Sequence, residues 1–138
     1  MARTIDRFVC GYAVATVDEG LKLRRHGIEK EILCLGPVSA GRYQECLEND
    51  ISLPMFEYRR AKELSDAAVA EGKTAKIHIA VDTGMSRIGL FPDEGSVETV
   101  KEIAELPALR IAGMFTHFAR ADEADKTKAG EQYRRFHA

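Results

Sequence analysis

At 138 residues, with 45% hydrophobic and 30% charged side chains, the chain has the composition of one globular domain able to bury a core, which excludes disordered and fibrous classes. A net charge of −2 supplies no overall field for nucleic acid or anionic lipid, and no apolar run is long enough to span a bilayer. Three cysteines (Cys10, Cys34 and Cys46) with no C-x-x-C pair exclude a disulfide framework or zinc ribbon; each lies among apolar residues and is expected to be buried, and the chain reads as a reduced, cytoplasmic, soluble protein.

Residues 12–16, YAVAT, predict a first strand. Thr16 and Glu19 then form a capping-box pattern, opening a helix from Val17 to about His26 with Val17, Gly20, Leu21 and Arg24 on one stripe. Gly27 ends it by accepting a left-handed backbone. Residues 31–36 predict a second strand, stopped by Pro37, and 39–49 a helix with Tyr43, Cys46 and Leu47 inward. Residues 51–56 predict a third strand in which Pro54 favours a strand end or bulge. An alanine-rich helix over 58–71 turns Leu64, Ala67 and Ala68 inward. Residues 76–82 predict the fourth strand, 93–106 a helix with Val97, Val100 and Ala104 on its buried stripe, and 109–118 the fifth strand. A last helix begins near Lys126, with Tyr133 and Phe136 apolar. The basic pairs Arg24-Arg25, Arg59-Arg60 and Arg134-Arg135 fall on these helices among acids and read as solvated faces.

Strands alternating with helices imply a parallel sheet with right-handed crossovers. Both an open doubly wound sheet and part of a (β/α)8 barrel fit that order. In the fourth strand Ile77, Ile79 and Val81 share one face while His78, Ala80 and Asp82 share the other. A sheet covered by helices on both sides needs two apolar faces. One aliphatic and one mixed face favour the barrel, with aliphatics against outer helices. No G-x-G-x-x-G turn follows the first strand, so a dinucleotide fold has no positive signal.

Active sites of parallel α/β proteins lie at the C-terminal strand ends. After the fourth strand comes Asp82-Thr83-Gly84-Met85-Ser86-Arg87, and after the fifth Thr116-His117-Phe118-Ala119-Arg120-Ala121-Asp122. Asp82 suits a loop-holding acceptor for turn amides, and Gly84 a positive φ. Arg87 could hold a planar anion or phenolate, or stand as a surface arginine. His117 could pack on a flat ring, or serve as a structural group. His78 reads as structural, and His26 and His137 as solvated. No His/Asp/Glu grouping has metal-ligand spacing, and no serine sits in a G-x-S-x-G elbow. Asp-Thr-Gly also occurs in aspartic proteases, but that chemistry pairs two such aspartates on an all-β scaffold.

Taken together, GYAVATVDEGLKLRRHGI, ILCLGPV, HIAVDTGMSRIGL, GMFTHFARADEAD and QYRRF resemble alanine racemase, a pyridoxal 5′-phosphate (PLP) enzyme family with a (β/α)8 barrel. The resemblance covers essentially the whole chain and implies an incomplete N-terminal barrel domain over 1–138, with about five of the barrel's parallel strands. It implies that Arg87 hydrogen-bonds the phenolic oxygen of PLP and that His117 lies beside its pyridine ring. It further implies that Met85 neighbours cofactor and substrate carboxylate and that Asp122 lines the substrate corridor. The substrate would be a small amino acid, interconverted between L- and D-alanine; full-length members are homodimers.

Two departures accompany the likeness. Ala80 stands where many members carry a carbamylated lysine, so the anion that would orient Arg87 is missing or supplied otherwise. The family's PLP lysine belongs to a segment ahead of the first matched stretch, and its opposing tyrosine, phosphate loop and ring-nitrogen arginine to segments after the last. No catalytic residue is therefore assigned within these 138 residues. The 138-residue polypeptide alone is expected to lack racemase activity and to self-associate through open sheet edges. Another amino-acid racemase or PLP-barrel protein, or a non-catalytic α/β binding module, are the competing expectations.

Overall fold

Each strand pairs in parallel with the strand made one crossover earlier. The computed structural model describes residues 1–138 and contains one sheet in the order β1-β2-β3-β4-β5. The strands are β1 (Gly11–Val14), β2 (Glu31–Cys34), β3 (Ile51–Met55), β4 (Ala75–Ala80) and β5 (Leu109–Phe115). The helices are α1 (Ala2–Ile5), α2 (Val17–Arg25), α3 (Tyr43–Glu48), α4 (Tyr58–Ala70), α5 (Glu94–Ala104) and α6 (Thr127–His137). The sheet is not closed: the outer edges of β1 and β5 have no strand partner.

Local chemistry sets the element boundaries. Glu19 N–H donates to Thr16 Oγ1 at 3.4 Å, while Glu19 Oε2 accepts from Thr16 N at 3.3 Å, so the capping box opens α2 as the pattern requires. Gly27, at φ 78°, closes it. Asp93 caps α5 by accepting from Ser96 N at 2.8 Å. Pro54 occupies the penultimate position of β3, compatible with its missing donor; the irregularity in the ladder falls instead between Ile77 and His78. The segment 39–49 is not one helix: a 3-10 turn, Ala40–Arg42, precedes α3.

Ile32, Leu53, Ile77 and Ile79 project to one side of the sheet and bury there with Leu21, Leu64, Ala68 and Ile103. Leu64 is fully buried, and removing such a side chain from water contributes about 1.5–3 kcal/mol. The opposite side carries polar residues. Glu31 Oε1 accepts from Ser52 Oγ at 3.1 Å and lies 3.1 Å from His78 Nε2; Lys76 Nζ donates to Asp50 Oδ2 at 2.6 Å. His78 is thus structural, as expected, and its ring lies over Gly113, where a Cβ would come within 3.0 Å of Nδ1. One aliphatic, helix-covered face and one mixed face are the barrel pattern.

Three expectations need correction. Cys34 and Cys46 are buried but Cys10 is exposed, because it lies ahead of β1 outside the helix-covered face. Arg24 is half-buried rather than solvated: its guanidinium donates to the carbonyls of Ile28, Lys30, Asn49 and Asp50 and ties α2 to the turns around β2 and β3. On α5 only Ile103 is buried; Ala104 is exposed and Val97 stays 53% exposed. Val97 and Val100, with Met114 and Phe136, instead line a groove of about 730 Å³ between α5 and α6.

Candidate functional site

The loops leaving the C-terminal ends of β4 and β5 are neighbours because their strands are neighbours. The first is closed on itself. Asp82, only 6% exposed, uses Oδ1 to accept from the amides of Gly84 (2.9 Å), Met85 (3.1 Å) and Ser86 (3.0 Å). The loop-holding role expected of this carboxylate is what the structure contains. The chain then returns: Leu90 N donates to Ala80 O at 2.9 Å, Asp82 N donates to Leu90 O at 2.8 Å, and Leu90 bridges Val81.

This return requires unusual backbone at three points. Gly84 and Gly89 have φ of 135° and 125°, and Ser86 has φ 58°. At Gly89 a Cβ would stand 2.5 Å from Asp82 N, so the closure depends on a residue without one. Arg87 lies between Ser86 and Gly89 on the outer turn of this braced loop. It is exposed, and its guanidinium has no hydrogen-bond or ion-pair partner in the chain. Met85 is half-buried at the same turn. Ala80, 1% exposed and registered with Phe115, offers no anion to Arg87.

The second loop is joined to the first at its root. Thr83 Oγ1 and Thr116 Oγ1 are 2.8 Å apart. Gln132 on α6 is 3% exposed; its Nε2 donates to Thr83 Oγ1 at 3.1 Å and to His117 O at 3.0 Å, and its Oε1 accepts from Ala119 N at 2.9 Å. Arg135 Nη1 donates to Thr83 O at 2.9 Å. The loops bearing Arg87 and His117 are thereby fastened to one another and to one helix. The His117 ring is exposed and has no hydrogen-bond partner; Asp122 is exposed farther along the same loop. Beyond it Asp125 is held below the usual carboxylate range by hydrogen bonds from the Thr127 hydroxyl and amide.

Sequence reasoning missed Gln132, Arg135, Thr83 and Thr116. One signal for Gln132 existed: it lies one turn before Phe136, so an inward Phe136 places Gln132 on the inward stripe. Of the two apolar residues noted on this helix, Tyr133 is 56% exposed.

Residues 1–138 match the family described as "Alanine racemase, N-terminal domain". The chain is 47% identical over 132 residues to an alanine racemase of Clostridium novyi, covering 96% of this chain and 34% of that relative. It is 44% identical over 124 residues to one of Methanococcus maripaludis, covering 90% and 33% respectively. Among solved structures, an alanine racemase of Clostridium difficile 630 in complex with cycloserine superposes with a TM-score of 0.94 at 34% identity, covering 99% of this chain and 38% of that one. A histidine racemase from Leuconostoc mesenteroides subsp. sake gives a TM-score of 0.87 at 28% identity, covering 96% and 36%. The chain thus spans about a third of the length of the curated relatives it matches.

Proposed function

The chain belongs to the alanine racemase N-terminal domain family, and we propose on that basis that it supplies the cofactor-facing rim of an isomerase that interconverts the mirror forms of alanine. The observation that carries this is the pair of joined loops, which present a partnerless guanidinium at Arg87 and an unbonded imidazole at His117 from neighbouring strand ends.

These groups fit part of PLP. Arg87 is a permanent cation on a turn that cannot easily move, suited to donate to a phenolic oxygen without giving up its proton. His117 offers a flat face and free ring nitrogens to a pyridine ring. Met85 stands half-buried two residues before Arg87, and Asp122 supplies negative charge at the approach. PLP, when bound, supplies an electron sink that acidifies the substrate Cα–H. None of the five C-terminal strand ends carries a lysine, so covalent attachment and proton transfer on each face of the substrate fall to residues other than these. Arg87 holds charge and orientation, and His117 holds the ring.

The substrate reading has one competitor with an observation behind it. The same fold segment occurs in a solved histidine racemase, so the architecture of this third of the protein does not select the amino-acid side chain. No helix is long and apolar enough to cross a membrane, and the three free thiols are in keeping with a reducing, cytoplasmic setting.

A PLP titration followed by visible absorbance tests the proposal. Saturable binding by the 138-residue chain, weakened at least about tenfold in Arg87→Leu, is the expected result, a factor of ten being what one charge-assisted hydrogen bond supplies. Binding that is absent, or indifferent to Arg87, would sink it. Alanine racemisation by the chain alone is expected to be undetectable, and to emerge only with a complementing polypeptide that brings a lysine and an opposing base.

A further inference from the structure

We propose that Gln132 is a positioning residue that sets the relation between Arg87 and His117, although it touches neither side chain. Its amide is the one group bonded to both rim loops. The two N–H donors go to Thr83 Oγ1 in the first loop and His117 O in the second, and the oxygen takes Ala119 N, also in the second. A carboxamide suits this place because it needs two donors and one acceptor at once in a site 3% exposed. The Thr83–Thr116 hydroxyl pair, 2.8 Å apart, completes the junction.

Position along the chain gives the junction its reach. Thr83 directly follows Asp82, whose carboxylate holds the turn leading into Arg87, and the His117 carbonyl belongs to the backbone that carries the imidazole. Displacing Gln132 therefore shifts both candidate cofactor groups together. Arg135, three residues after Gln132 on the same helix, reaches only the first loop, through Thr83 O. The helix thus has a shared fastening and a one-sided one, whose removal should have different signatures.

Hydrogen exchange on the 138-residue chain separates them. In Gln132→Met, amides of both segments 83–90 and 116–121 are expected to exchange roughly tenfold faster, the scale of one or two lost buried hydrogen bonds, while those of β2 and β3 keep their protection. Arg135→Met is expected to loosen only 83–90. Gln132→Glu keeps the shape but replaces the doubly donating nitrogen with one acceptor oxygen, facing the His117 carbonyl and the Thr83 hydroxyl; it should loosen both loops at neutral pH and partly recover in acid, when the protonated carboxyl regains a donor. Loosening of one loop only by Gln132→Met, or no loosening, overturns the proposal. So does an equal loss of protection through the whole sheet, which would mark Gln132 as a general packing residue. The consequence for the cofactor rests on the racemase reading and is read separately: PLP affinity should fall about as far in Gln132→Met as in Arg87→Leu. If the unsubstituted chain binds no PLP, the cofactor reading fails, and exchange alone still decides the junction.

Discussion

The two flanks of the sheet are stabilised by different means. Around β2 and β3 the helices α2, α3 and α4 cover a continuous apolar face, all five residues of β3 are buried, and burial pushes the Cys46 thiol up to about 12. Around β5 the cover is thin: Met114 is 57% exposed and α5 gives one buried side chain. What holds that flank at its C-terminal end is a set of directed polar contacts, from Asp82 to three amides and from Gln132 to two loops. Apolar burial is tolerant of small displacements, whereas each hydrogen bond fixes an angle and a distance. The flank that carries the candidate chemistry is the one whose geometry is fixed group by group.

The sharpest way to break this comparison is in the apolar flank. Leu64→Ala should cost about 2–5 kcal/mol of unfolding free energy, read from urea unfolding, since a fully buried leucine leaves a cavity. A loss under about 1 kcal/mol would mean that the core is not where stability resides. Next in size, Asp82→Ala should cost roughly 1.5–3 kcal/mol by removing a charged acceptor from three amides, with the largest rise in hydrogen exchange confined to 84–86.

A smaller effect concerns acid. The Glu31 carboxyl lies below its ordinary value chiefly because His78 hydrogen-bonds it, with Ser52 adding to this and burial opposing. A depressed carboxylate stabilises the fold fully above its unfolded-state value and loses that contribution as pH falls through the folded one. Acid titration of stability should therefore flatten across and below the ordinary glutamate range in Glu31→Gln, while both proteins respond alike above it. Smallest of all, Met114→Ala on the thin flank should change stability by under about 1 kcal/mol in the same urea assay, because over half of that side chain already meets water.

Much of the architecture was legible because its signals are local. Thr16 and Glu19 announce the start of α2, Gly27 its end, and the alternation at Ile77 and Ile79 the covered face of β4. The rim loops were legible as Asp82 and Gly84 in an otherwise apolar strand end. What escaped depends on tertiary context. Arg24 has the charge of a surface residue and becomes half-buried only because four carbonyls converge on it. The spacing on α5 predicts a buried stripe of Val97, Val100 and Ala104, whereas burial there falls to Ile103, and Val97 and Val100 line the groove facing α6. Gln132 is polar on an amphipathic helix; its spacing from Phe136 puts it on the inward stripe, but no local signal names partners that lie in two distant loops.

The strand order has a consequence for how the molecule is made. Because β1 to β5 stand in the sheet as they stand in the sequence, a chain leaving the ribosome always finds its next docking edge already built. Each addition closes only one crossover, which keeps the entropic cost of every step small. Within residues 1–138, α6 follows all five strands in the chain. Its junction with Thr83 and His117 therefore forms only after both of the loops that it joins have been made.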